Sequence, residues 1–176
     1  MNRVSQAAGA ALLAALLSSC QTNIPSDAPR AEASLQPTKG NKASGTVMFY
    51  QLGDKVRVVA KVSGLVPSRE HGFHIHEAGD CSSGDGMSTK GHYNPQGKPH
   101  AHFSTSDRHA GDMPALKADA NGVGALQVDL DVITVTAGPT SIIGRGLIVH
   151  ADPDDYKTQP TGNAGARIAC AVIQRR

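Results

Sequence analysis

The chain is poor in aromatic residues, with three tyrosines, three phenylalanines and no tryptophan, so it offers no platform on which nucleic-acid bases could stack. A surplus of one charge is also missing: 17 lysines and arginines against 15 aspartates and glutamates leave a formal +2, too little for a footprint on a phosphate backbone. Together these absences exclude a nucleic-acid partner. None of the three cysteines belongs to a CxxC, which removes a zinc ribbon, and the lack of HExxH removes the common zinc-hydrolase helix. Sustained 3.6-residue periodicity and internal repeats are absent as well.

The one long apolar stretch is N-terminal. MNRVSQAAGAALLAALLSSC carries a single basic residue, Arg3, then an Ala/Leu run to Leu17, then small residues. That run is too short to span a bilayer as a mature helix but fits a secretory signal, the alternatives being a signal cut elsewhere or a buried helix. Its close, LSSC, resembles a bacterial lipoprotein box, which implies a signal peptide over residues 1–19 and lipidation of Cys20. The expected location is periplasmic, anchored to a bacterial cell membrane as a lipoprotein, with stable attachment resting on more than one acyl chain. Cys81 and Cys170 then remain, and an oxidising compartment lets them form a disulfide rather than persist as two free thiols. From Gln21 to Ser44 the chain is polar, holds three prolines and has no aromatic, so residues 20–44 read as a lipidated tether and the folded domain as 45–176.

Beyond Gly45 the apolar pattern has period two. Val56, Val58, Ala60 and Val62 share one face of KVRVVAKV, and the preceding LGD turns that segment back on TVMFYQ as a hairpin. Leu126, Val128, Leu130 and Val132 alternate with polar residues after the turn at DANG, while GLIVH and ARIACAVI supply further strands. Short alternating strands separated by turns predict an all-β, antiparallel sandwich or barrel. Between Cys81 and Met113 the alternation lapses into polar, glycine-rich sequence, and a loop that long inside a compact domain is functional or held by something.

What could hold it is visible in the histidines, all eight of which lie between His71 and His150. In GFHIHE an extended backbone puts His74 and His76 on the same face, roughly 6.5 to 7 Å apart along the strand, where two imidazoles can grip one ion. The loop KGHYNPQGKPHAHFSTSDRHAGD adds His92, His100, His102, His109 and Asp112. Imidazole with carboxylate suits zinc, and a loop with too little apolar content to pack can be ordered by such an ion.

GFHIHE, GHYNP, HAGD, IIGRGLIVH and GNAGARIACAVI, in that order from Gly45 to Ile173, resemble the copper/zinc superoxide dismutase family. The resemblance implies a Greek-key, immunoglobulin-like β barrel with long metal-binding loops, and an enzyme that converts the small anion superoxide to oxygen and hydrogen peroxide. It implies copper on His74, His76, His92 and His150, and zinc on His92, His100, His109 and Asp112, with His92 bridging the two and acting in catalysis. Arg167 matches the arginine that guides the anion, Asp154 a carboxylate linking a copper histidine to a zinc histidine, and Cys81 with Cys170 an intrasubunit disulfide. The chain departs from the family where Ala101 and His102 follow His100, which makes His102 the competing zinc ligand, and Asp155 is the neighbour competing with Asp154. His71 reads as a structural, hydrogen-bonding histidine. The segment between His150 and Arg167 is short against the animal enzymes, leaving Lys157 as a candidate for charge steering, and a homodimer stays open without an identifiable contact surface.

Overall fold

The computed structural model describes residues 24–176; the expected signal peptide, 1–19, and Cys20 lie outside the described residues. Ten strands follow in order: β1 Arg30–Pro37, β2 Ser44–Leu52, β3 Lys55–Ser63, β4 Glu70–His71, β5 Phe73–His76, β6 Leu116–Lys117, β7 Gly124–Leu130, β8 Gly146–His150, β9 Arg167–Val172 and β10 Gln174–Arg175. Eight of them make one curled antiparallel sheet in the order β5-β8-β9-β1-β2-β3-β7, with β10 beside β1, while β4 and β6 form a separate pair. The only helical element among the described residues is a 3-10 turn, Met87–Thr89.

Alternation explains the interior. On β3 the expected face, Val56, Val58, Ala60 and Val62, is buried, and it meets Val47 and Phe49 of β2, Phe73 and Ile75 of β5 and Leu147 and Val149 of β8 in one core. The β2–β3 hairpin closes as expected, with Leu52 opposite Lys55 and Gly53-Asp54 at the tip.

The tether is the correction. Residues 30–37 are not a linker but β1, which pairs with β2 along its length and, on its other edge, with β10 at Ala31 and Glu32 and with β9 at Gln36 and Pro37. RAEASLQP alternates as strictly as the other strands, and Ala31, Ala33 and Leu35 are fully buried. Alanine adds so little apolar area that composition conceals the pattern, yet a small side chain suits the tight interior of a curled sheet. The folded unit therefore starts about fifteen residues before Gly45, and the sheet is continuous only through β1.

Two strands are buried on both faces. Phe73 and Ile75 of β5 point into the core, and His74 and His76 point the other way, yet all four are buried. The cover is the long loop, which returns to β5 at isolated bridges His76 to His92 and His74 to Asp112. Ile75 donates to the Gly111 carbonyl at 3.0 Å and accepts from the Tyr93 amide at 2.8 Å. A Cβ on Gly111 would collide with the Ile75 carbonyl oxygen, so this approach requires glycine.

If β1 belongs to the core, Leu35→Ala lowers the unfolding free energy by about 2–5 kcal/mol in denaturant titration; a change near zero would return the segment to the status of a tether.

Candidate metal centre

Seven side chains from three places meet on the outer face of the barrel. Strand β5 brings His74 and His76, the end of β8 brings His150, and the loop brings His92, His100, His109 and Asp112. A register shift between Val149 and His150, where β8 pairs with β9, re-aims the last residue of the strand. The result is two pockets, His74/His76/His92/His150 and His92/His100/His109/Asp112, in each of which the ligand atoms lie within 4.8 Å of one another. His92 is common to both.

Proton bookkeeping decides whether these pockets suit cations. His76 Nδ1 donates to the Lys90 carbonyl at 2.9 Å and His150 Nδ1 to the Gly165 carbonyl at 3.2 Å. Burial, then neighbouring positive charge from other histidines and Arg167, pushes both pKa values well below the ordinary range, so both rings are neutral. Their Nε2 atoms therefore carry lone pairs, and these face each other at 3.4 Å with no proton between them. His74 Nε2 donates to Asp154 Oδ2 at 2.7 Å, and His92 Nδ1 donates to Asp112 Oδ1 at 2.9 Å. The remaining nitrogens, His74 Nδ1 and His92 Nε2, are buried without a hydrogen-bond partner among the described residues. Unpartnered lone pairs in a buried site are unfavourable unless a cation accepts them, and four imidazoles fit copper.

The second pocket gathers around a carboxylate. Asp112 Oδ1 lies 2.9 Å from His92 Nδ1, 3.0 Å from His100 Nδ1 and 3.3 Å from His109 Nδ1, while Oδ2 accepts the backbone amides of Ala101 and His109. Burial opposes the charge on Asp112, but the bonds from His100, His109 and His92 outweigh it and hold the carboxyl far below its usual range. Three imidazoles and one carboxylate, convergent and already ionised, are the donor set of a tetrahedral zinc site. His92 is pushed down to about 3, by burial first and then by charge on His74. His100 goes the other way: burial disfavours its charge, yet bonds to Asp112 and Asp154 raise it to about 9.

Asp154 joins the pockets from outside. Oδ2 accepts His74 Nε2, and Oδ1 accepts His100 Nε2 at 2.9 Å and the Tyr156 amide at 2.7 Å. A Cβ on Gly162 would collide with Asp154 Oδ1 and His100 Nε2, and its φ of +66° is one that glycine tolerates. Asp155, the competing neighbour, is exposed and caps the turn at Lys157 and Thr158. His102 lies outside the cluster, its ring 4.6 Å from that of Tyr156 and its Nδ1 bonded to Ser104 Oγ at 2.8 Å, so the residue brought to Asp112 is His100. His71 Nδ1 donates to the His150 carbonyl at 2.8 Å and belongs to neither pocket. Lys157 is exposed.

Arg167, half-buried, reaches the turn at Met87–Thr89 from β9, and a cleft of about 320 Å³ opens beside it, bordered by Lys39, Asp85 and Met87. Cys81 and Cys170 are bonded, which fastens the loop that ends in this turn to the strand that carries Arg167. Sequence reasoning missed several supporting groups. Gln159 clasps the backbone of His100, accepting its amide at 2.8 Å and donating to its carbonyl at 2.7 Å. Thr89, Lys90, Tyr156 and Gly162 were also overlooked, because backbone carbonyls and amides leave no residue signature and the loop contacts span large separations in sequence.

A curled antiparallel barrel bearing two buried, histidine-rich pockets that share one imidazole defines a binuclear metalloprotein. The family profile described as copper/zinc superoxide dismutase matches residues 43–173. Superoxide dismutase [Cu-Zn] 2 of Aquifex aeolicus (strain VF5) is 39% identical over 149 residues, 82% of this chain and 86% of that protein. Superoxide dismutase [Cu-Zn] of Paramecium bursaria Chlorella virus 1 is 43% identical over 135 residues, 73% of this chain and 71% of that protein. The solved structure titled "Crystal Structure Analysis of the clock protein EA4" superposes with a TM-score of 0.76 at 39% identity, covering 84% of this chain and 94% of its own. The chain belongs to the copper/zinc superoxide dismutase family.

Asp154→Asn keeps one oxygen acceptor and so one of the two ring bonds. Zinc affinity, measured by competition with a chelator, should fall about tenfold to a hundredfold; unchanged affinity would deny the carboxylate a share in holding the site.

Proposed function

We propose that this chain dismutates superoxide at the pocket of His74, His76, His92 and His150, which would hold copper, while His92, His100, His109 and Asp112 would hold zinc. Copper supplies one-electron chemistry, which zinc lacks, so that two superoxide anions and two protons become oxygen and hydrogen peroxide. The observation that carries the reading is His92, whose Nδ1 faces Asp112 and His109 while its buried Nε2 faces no protein partner. A ring so placed would belong to the donor sets of both metals, and a proton held at its Nε2 would lie next to where a reduced substrate needs one.

The other residues orient and attract. The carbonyls of Lys90 and Gly165 fix the tautomers and ring planes of His76 and His150. Asp154 does the same for His74 and His100 at once. Arg167 contributes positive potential at the mouth of the four-histidine pocket, where a small anion is drawn in by charge before it meets the metal. Asp85, close enough to favour the charge on Arg167, tempers that potential.

The rival reading is a metal carrier on the same scaffold, and metal analysis with a superoxide assay separates the two. Copper and zinc together with turnover support the enzyme; bound metal without turnover supports the carrier. Arg167→Glu should lower kcat/KM by roughly tenfold to a thousandfold while copper and zinc content stay as in the wild type; equal losses in both would contradict a guiding role.

The leader points to a bacterial lipoprotein attached through Cys20 and facing the periplasm. With β1 beginning at Arg30, only the nine residues from Gln21 to Pro29 separate the acylated position from the sheet. Fully extended they reach roughly 30 Å, so the domain would stay within about its own diameter of the membrane. Cys20→Ser should yield a soluble, active protein in cell fractionation, and persistent membrane association would refute attachment through that residue.

A further inference from the structure

Arg167 spends three of its five N–H donors on one turn of the loop: Nη1 donates to the Gly86 carbonyl at 2.7 Å and to Thr89 Oγ1 at 2.8 Å, and Nη2 donates to the Lys90 carbonyl at 2.6 Å. Two of these acceptors are main chain. The third, Thr89, is fully buried, and its own hydroxyl proton goes to the Gly86 carbonyl at 2.8 Å, which leaves its oxygen lone pairs for the guanidinium. The hydroxyl is also held in place from behind. Its Cγ2 packs on Gly146, where any Cβ would overlap it, so rotation about χ1 is blocked by β8. The same turn reaches the four-histidine pocket, because the Lys90 carbonyl that takes Arg167 also takes His76 Nδ1. Lys90 adopts φ 63°, ψ −145°, a strained combination for a residue with a side chain, and it is kept there by these two donors.

We propose that Thr89 is a positioning residue for anion binding: its hydroxyl fixes the Arg167 guanidinium so that the Nε–H and the second Nη2 proton, which find no acceptor among the described residues, stay free for a small anion beside the four-histidine pocket. The inference rests on the reading of Arg167 as the anion-guiding residue. Without the hydroxyl, one Nη1 donor loses its acceptor in a half-buried site, and the guanidinium turns to seek another.

Thr89→Val keeps the shape and the methyl packed on Gly146 but removes the acceptor; Thr89→Ser keeps the acceptor and removes the methyl. With the copper- and zinc-loaded enzyme and azide as probe, titrated through its visible absorption at copper, Thr89→Val should bind azide about threefold to tenfold more weakly. Thr89→Ser should stay within about twofold of the wild type, and metal content should be the same in all three. Unchanged azide affinity in Thr89→Val overturns the proposal, as does a Thr89→Ser that is as weak as Thr89→Val. Loss of copper or zinc in Thr89→Val also overturns it, since the residue would then be structural. Arg167→Gln separates the two levels of the argument. If that variant binds azide like the wild type, the reading of Arg167 fails; if it weakens while Thr89→Val does not, only the role of Thr89 fails.

Discussion

A four-residue strand buried on both of its faces is the constraint from which the rest of this molecule follows. One face of β5, Phe73 and Ile75, is ordinary core. The other, His74 and His76, is polar and equally hidden, and a buried polar face must find partners for every nitrogen. Half of that demand is met by protein acceptors, the Asp154 carboxylate and the Lys90 carbonyl. The other half finds no hydrogen-bonding acceptor or donor among the described residues, and that deficit is what suits the place to a metal rather than to a hydrogen-bonded core. The loop covering β5 is anchored by Tyr93, Ala110 and Met113 in the core and by main-chain bonds to Ile75, and ions held in the two pockets would add to its order.

Much of this was legible in the sequence. Period-two alternation identified β2, β3, β8 and β9, and the lapse between Cys81 and Met113 identified the covering loop. Spacing alone marked His74 and His76 as a pair and the loop histidines with Asp112 as a cluster, and the resemblance of the motifs to the family implied how these residues and His150 divide between two pockets. β1 escaped because its inward residues are mainly alanine, and alternation between alanine and polar residues looks like linker composition until a neighbouring strand is seen on each side. Between His100 and His102, spacing from His92 and to His109 favours His100, and His100 is the residue that meets Asp112. Gln159 grips the main chain at His100, while the ring of His102 meets Tyr156 edge to face.

Placement of charge separates this site from a merely structural ion cluster. Burial and crowding keep His76, His92 and His150 neutral, while Asp112 and Asp154 stay ionised in the midst of them. Asp112 sits in the pocket of His92, His100 and His109, Asp154 accepts from a histidine of each pocket, and the cationic Arg167 shares the Lys90 carbonyl with His76 of the four-histidine pocket. A negative substrate thus meets positive potential beside the four-histidine pocket and a carboxylate within the other. The disulfide and the turn at Met87–Thr89 hold Arg167 in place from β9, the strand beside β8.

The single carboxylate that touches a histidine of each pocket has a thermodynamic corollary. Asp154 ties the orientation of His74 to that of His100, so filling one pocket changes the strain that filling the other must meet. Linkage then demands reciprocity: by whatever factor a metal in one pocket changes the affinity of the other, a metal in the second changes the affinity of the first by the same factor.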